Sequence, residues 1–149
     1  MRAVVQRVSR ASVTVDGSVV GEIERGLMVL LGVAAADTDA DLEWLLAKTL
    51  ALRVFPDEAG KMNLDLAAIQ GALLVVSQFT LLGDVRKGNR PAFTGAKEPV
   101  EAERMYERFC TRAVELGARV QKGVFRADMK VELVNDGPVT LLLDSTKLF

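Results

Sequence analysis

Leu73-Leu74-Val75-Val76-Ser77-Gln78-Phe79-Thr80-Leu81 is the stretch from which the rest of the chain can be read. Its first four residues are apolar and two of them are β-branched, which suits a strand buried on both faces. The character then changes, because Ser77, Gln78 and Thr80 put three hydrogen-bonding side chains within four positions. An unpaired buried amide or hydroxyl is costly, so this cluster either surfaces into a loop or meets partners in a pocket. The first is the ordinary behaviour of a strand end. The second is how a rigid apolar strand supports a site.

A strand covered on both faces needs a sheet beside it and helices over it. Gly26 to Val33 is a nearly continuous apolar run bounded by glycines and reads as a second central strand. Between the two lies Asp37-Thr38-Asp39-Ala40-Asp41, which supplies cap residues and first-turn acidic charge for a helix. Leu42, Leu45, Leu46, Thr49 and Leu50 share one helical face, with Trp44 toward its edge. Arg53-Val54-Phe55 reads as a short strand before a turn-rich segment, and Leu64 to Ile69 as a short helical turn. This strand-helix-strand order predicts at least a mixed sheet.

Downstream, Pro99 opens a second helix in which Val100, Met105, Tyr106, Phe109, Ala113 and Leu116 keep helical period, and Gly117 ends it. Val120 begins the last strands. Met129 to Val134 and Val139 to Leu143 read as a strand and its return, joined through Asn135-Asp136-Gly137-Pro138 as a hairpin turn. At the other end, Ala3 to Val8 is a first strand. Asp16-Gly17 is a tight-turn signal between Ser12-Val13-Thr14-Val15 and Ser18 to Ile23. Arg7 has apolar neighbours, and such an arginine usually faces water unless a carbonyl or anion meets it. The expectation is one domain over residues 1–149, with at least a mixed sheet and two main helices.

The 149 residues are half hydrophobic, which excludes disorder and allows a proper core. The longest apolar run, Leu27 to Leu31, is too short to span a bilayer, and no signal peptide opens the chain. A cytoplasmic location with no membrane partner is expected. Net charge is −1, so no global basic field advertises nucleic acid, although contact with only a nucleic-acid end needs none. The lone Cys110 reads as a small core residue. Histidine is absent, which removes Ser-His and Cys-His catalysis and the commonest metal ligand together. No metal and no cofactor are expected. The segment Gly83 to Phe93 carries three cations, two glycines and one aromatic, a solvated loop or a phosphate contact.

Taken together, Ser77-Gln78-Phe79-Thr80-Leu81 and Asn135-Asp136-Gly137-Pro138-Val139-Thr140 resemble the two signature motifs of the D-aminoacyl-tRNA deacylases. Those motifs are Ser-Gln-Phe-Thr-Leu and Asn-x-Gly-Pro-Val-Thr, and neither shows a mismatch. The resemblance runs essentially end to end, through Gln6-Arg7-Val8, Ala11-Ser12-Val13, Gly60-Lys61-Met62-Asn63, Arg90-Pro91-x-Phe93 and Phe125-x-Ala127-x-Met129. It departs at Ala92, where relatives often carry a polar residue, which bears on a detail of the loop near the tRNA end.

The resemblance implies a homodimer of α+β subunits built around a curved, barrel-like sheet, acting on the 3′ end of aminoacyl-tRNA. It implies hydrolysis of the ester of D-aminoacyl-tRNA, and of glycine mischarged on tRNA(Ala). The Gly137–Pro138 bond would be cis, and its turn would enter the pocket of the other subunit. There the carbonyls of Gly137 and Pro138 would meet the substrate amino group and wall off an L side chain. Arg7 would brace the turn. Ser77, Gln78, Phe79 and Thr80 would line the ester, and Phe125, Ala127 and Met129 would hold the terminal adenosine.

With no histidine, Thr80 lacks an obvious activating base. The preferred route uses the vicinal ribose hydroxyl of the substrate to orient or deprotonate water, with Thr80 and Gln78 as positioning groups and backbone N–H groups near Phe79 and Thr80 stabilising the oxyanion. Thr80 as nucleophile remains open. So do two other functions: a homologous editing module for a small L-aminoacyl-tRNA, and a non-catalytic module binding tRNA or other nucleic acid. Missing basic faces and interleaved aromatics count against the last.

Overall fold

The computed structural model describes residues 1–148. At its centre is β1 (Arg2–Val15), a long strand with partners along both edges. One edge pairs antiparallel with β3 (Gly26–Gly32) over its first half and with β2 (Ser18–Ile23) over its second. The β1–β2 turn places Asp16 at φ 49° and Gly17 at φ 79°, as a two-residue hairpin turn requires. The other edge pairs along nearly its whole length with β8 (Lys130–Asp144).

Beyond β3 the sheet turns parallel. β6 (Ala72–Ser77) follows α1 (Asp39–Ala51) and the small hairpin of β4 (Phe55–Pro56) and β5 (Met62–Leu64). β7 (Arg119–Lys122) follows α2 (Pro99–Glu115) and lies parallel to β6. The sheet curls until β2 meets β7. Gly21 marks the approach, since a Cβ there would stand 2.6 Å from the Lys122 carbonyl oxygen. The α+β fold is therefore a nearly closed, barrel-like mixed sheet with two helices.

The apolar runs of β3 and β6 are buried on both faces, as their composition implies. Leu27, Val29, Leu31, Leu73 and Val75 pack toward the helices, against Leu42, Leu45, Leu46, Met105 and Phe109. Met28, Leu74 and Val76 point the other way, into a second cluster with Val8, Val13 and Ile23. The helices are tied across their outer faces by Arg108–Asp39 and Arg112–Glu43 pairs, each at 2.9 Å. Cys110 is buried in the first cluster, and burial pushes its thiol up to about 12. α2 ends as expected, with Gly117 at φ 90° and its N–H donating to the Val114 carbonyl.

The hairpin expectation fails. Residues 135–138 do not reverse the chain, and the two C-terminal segments are halves of the single strand β8. Both halves pair with β1, and the register slips between the Gln6–Thr140 and Val8–Asn135 partners. Residues 136–139 are thus a bulge looping out of a continuous strand. Among the described residues no helix is long and apolar enough to cross a membrane.

Candidate active site

β6 delivers Ser77 to the sheet edge, paired with Leu31 of β3. The chain then leaves the sheet. Gln78 still donates its N–H to the Leu31 carbonyl at 2.7 Å, and Phe79–Leu82 form a short 3₁₀ turn. The first N–H groups of such a turn, those of Phe79 and Thr80, find no acceptor within it. The Gln78 side-chain amide donates to the Thr80 hydroxyl oxygen, so the two polar groups hold each other. From behind, Arg2 reaches the turn and donates to the Leu81 carbonyl at 3.0 Å, while its other edge meets Asp144 at 2.8 Å. Phe79 is exposed, and its ring meets Phe93 edge-on at 5.0 Å. Phe93 directly follows the loop that Asp84 and Ala92 close through a pair of backbone hydrogen bonds. Ala92 contributes backbone to that closure, so its small side chain leaves the closure intact.

Beside this strand end lies a cavity of about 420 Å³. Ser77, Gln78 and Phe79 line one part of it, and Phe125, Ala127 and Met129 line another. The structure therefore brings together two segments separated by nearly fifty positions, linked by α2 and β7. Tyr106 from α2 forms part of the wall, stacked in tilted fashion on Phe125 at 5.9 Å. Its hydroxyl donates to the Val75 carbonyl at 2.9 Å, and burial pushes its ionisation well above the ordinary value. It fixes the wall and stays neutral. Thr80 lies outside the lining and connects to it through Gln78.

The third group stands elsewhere. The Gly137–Pro138 bond is cis, Gly137 has φ 151°, and both residues are exposed. Arg7 lies beneath the bulge with its side chain 11% exposed, donating to the Asp136 carbonyl at 2.7 Å and to the Val54 carbonyl at 2.5 Å. The neck of the bulge is closed by Asn135. Its side-chain oxygen accepts the Val139 N–H at 2.7 Å, and its amide donates to the Val139 carbonyl at 3.2 Å and the Thr140 hydroxyl at 3.0 Å.

The bulge does not line the cavity, since neither Arg7 nor Gly137 nor Pro138 is among its lining residues. Arg7 lies level with Leu27 and hence with Leu73, four residues before Ser77. Within one chain, Arg7, Gly137 and Pro138 form one constellation and the Ser77–Phe125 cavity another. Among the lining residues that reading motifs alone missed are Tyr106, taken for core, and the cations Lys97 and Arg126. Arg126 was in view inside Phe125-x-Ala127. Nothing in the sequence around Lys97 signals its place.

The chain is similar to known proteins along nearly its whole length. The family model described as D-Tyr-tRNA(Tyr) deacylase matches residues 4–144. D-aminoacyl-tRNA deacylases of Anaeromyxobacter dehalogenans and Thermotoga petrophila are 64% and 58% identical, each over the whole of both chains. A solved structure of a protein named c-Myc DNA Unwinding Element Binding Protein superposes with a TM-score of 0.91 at 45% identity, covering 97% of this chain and 98% of its own. Another, a probable eukaryotic D-amino acid tRNA deacylase, shares the fold with a TM-score of 0.82 at 20% identity, covering 96% and 98%. With two motif segments lining one cavity and relatives matching from end to end, the chain belongs to the D-Tyr-tRNA(Tyr) deacylase family.

Proposed function

We propose that the chain hydrolyses the ester of D-aminoacyl-tRNA, releasing the amino acid and the tRNA, and that it works as a homodimer with each cavity completed by the other subunit's bulge. The observation that carries this reading is the shared cavity, polar at Ser77 and Gln78 and apolar at Phe125 and Met129. Such a surface suits an ester at one end and a nucleobase at the other. The family membership supports the activity.

An aminoacyl ester is already activated, so catalysis needs water in position and an oxyanion stabilised. The amides of Phe79 and Thr80 serve the oxyanion. The Thr80 hydroxyl accepts from Gln78 and has no base beside it, which makes it a positioning group. The vicinal ribose hydroxyl then orients or deprotonates the water. Gly137 and Pro138 of one subunit enter the cavity of the other and bind the substrate amino group. The same wall excludes an L side chain and admits glycine, including glycine mischarged on tRNA(Ala). Proofreading of this kind belongs in the cytoplasm, where tRNA is charged.

Hydrolysis of matched D-, L- and glycyl-tRNA by the purified chain tests the reading. Rapid release of the D and glycyl groups with the L ester spared supports it. Equal turnover of D and L esters overturns the chiral role, and no turnover overturns the activity. In that last case nucleic-acid binding becomes the better account. The 45%-identical relative is named for binding DNA, and the exposed Lys87 and Arg90 are compatible with such a role here.

A further inference from the structure

The cavity is electrostatically one-sided in a chain whose net charge is −1. Among the described residues its lining includes two cations, Lys97 and Arg126, and no carboxylate. Lys97 is half-buried and fixed at both ends: its N–H donates to the Val33 carbonyl and its Nζ to the Ala35 carbonyl, each at 2.9 Å. An ammonium carries three donors, so two remain for a ligand. Arg126 enters from the opposite segment, at φ 62°, a conformation uncommon for a residue with so bulky a side chain. Among the described residues neither cation forms an ion pair. The carboxylates closest in sequence are otherwise engaged. Glu98 caps α2 through the Val100 and Glu101 amides, Glu101 pairs with Arg104, and Asp128 pairs with Lys130.

Two unneutralised cations in a largely apolar cavity call for an anion. Resting on the function proposed above, which seats a terminal nucleoside between Ser77 and Phe125, we propose that Lys97 and Arg126 bind the phosphodiester on the 5′ side of that nucleoside. The site is thereby built for a nucleotide joined to a chain, and it favours tRNA-linked esters over nucleoside esters of the same amino acid. Guanidinium and ammonium donors to phosphate form charge-assisted bonds, with Lys97 half-buried and Arg126 exposed.

The test compares two small substrates: the 3′-D-tyrosyl ester of adenosine, and the same ester of adenosine 5′-(methyl phosphate), which carries the single charge of a chain linkage. Wild type should favour the second by roughly tenfold or more in kcat/KM, an advantage that shrinks with added salt. Lys97→Met and Arg126→Met should each reduce that ratio and the double variant should bring it close to one, while Lys97→Arg and Arg126→Lys should restore most of it. A ratio near one in wild type overturns the inference without any variant. So does an undiminished ratio in a folded double variant. Hydrolysis of both small esters and of D-tyrosyl-tRNA with no phosphate preference removes only this inference, whereas wild type inert on all three removes the proposed function with it.

Discussion

Replacing Arg7 with methionine removes the support beneath the bulge while keeping a stem of similar length. Two hydrogen bonds from a charged donor are lost, and each is ordinarily worth about 1.5–3 kcal/mol. The two ends differ. Asp136 is exposed, so water replaces the guanidinium at its carbonyl, and the 3.8 Å approach of its carboxylate adds little. Val54 is buried, and its carbonyl loses a donor that water reaches poorly. Against this, methionine avoids the desolvation of a largely buried guanidinium. The net cost should be about 2–3 kcal/mol, within the 5–15 kcal/mol typical of domains, so the variant should still fold. For a chain of this size that is roughly 5–10 °C in Tm. Scanning calorimetry and the D-over-L hydrolysis ratio should be measured on one preparation. Arg7→Met should melt lower and lose D-over-L preference more than it loses turnover of the D ester. Arg7→Lys, a point charge without the fork, should fall between. A variant melting within about a degree of wild type with full selectivity would refute the bracing role.

Light scattering at working concentration should give twice the chain mass, because Gly137 and Pro138 do not line their own chain's cavity; an active monomer would reject that. A tRNA ending in deoxyadenosine, aminoacylated on the remaining hydroxyl, should bind yet react far more slowly, and equal turnover would return the base to the protein or the attack to Thr80. Gly21→Val should destabilise by about 1–3 kcal/mol in urea titration, since its side chain meets the Lys122 carbonyl where β2 closes on β7. The Asp41 carboxyl is held at about 2, first by the Thr38 amide and against the cost of burial, below its ordinary 3.8. A depressed carboxyl stabilises the fold above its unfolded value and loses that contribution as pH falls toward the folded one. Tm measured between pH 4 and pH 2 should therefore fall less steeply for Asp41→Asn than for wild type.

The parts of the fold legible in the sequence are those where local pattern and tertiary environment agree. Leu73 to Val76 read as doubly buried and are, because an apolar run between two parallel neighbours has nowhere polar to face. Leu42, Leu45, Leu46 and Thr49 are buried together because helical period alone fixes which residues share a face. Pairing partners are another matter. Ala3 to Val8 and Ser12 to Val15 read as separate strands, yet β1 runs through Ser9, Arg10 and Ala11 without a break. The polar residues Ser9 and Arg10 are exposed where its register with β8 shifts, which looks like a gap in a linear pattern. The cavity was legible only through its motif segments. Lys97 and Arg126 line it because α2 and β7 bring distant loops together, and no local periodicity encodes that.

Asn135-Asp136-Gly137-Pro138 shows most clearly why a turn sequence does not fix a turn. Its residues favour any sharp departure from extended backbone, whether the chain then reverses or rejoins its line. The length of β1 decides between them, since a strand of 14 residues offers partners on both sides of the departure. The difference bears on the chiral role proposed for this segment. A hairpin tip is held from one end and moves with its arms, whereas this bulge is tied into the sheet before and after. Asn135 closes its neck by exchanging hydrogen bonds with Val139 and reaching Thr140, and Arg7 supports it from below. Asn and Thr are the first and last residues of the Asn-x-Gly-Pro-Val-Thr motif, and here they are the clasp that fixes what lies between them. Excluding a side chain by steric contact discriminates well only when the excluding wall cannot retreat. A clasped bulge in a paired strand meets that requirement; a free tip would not.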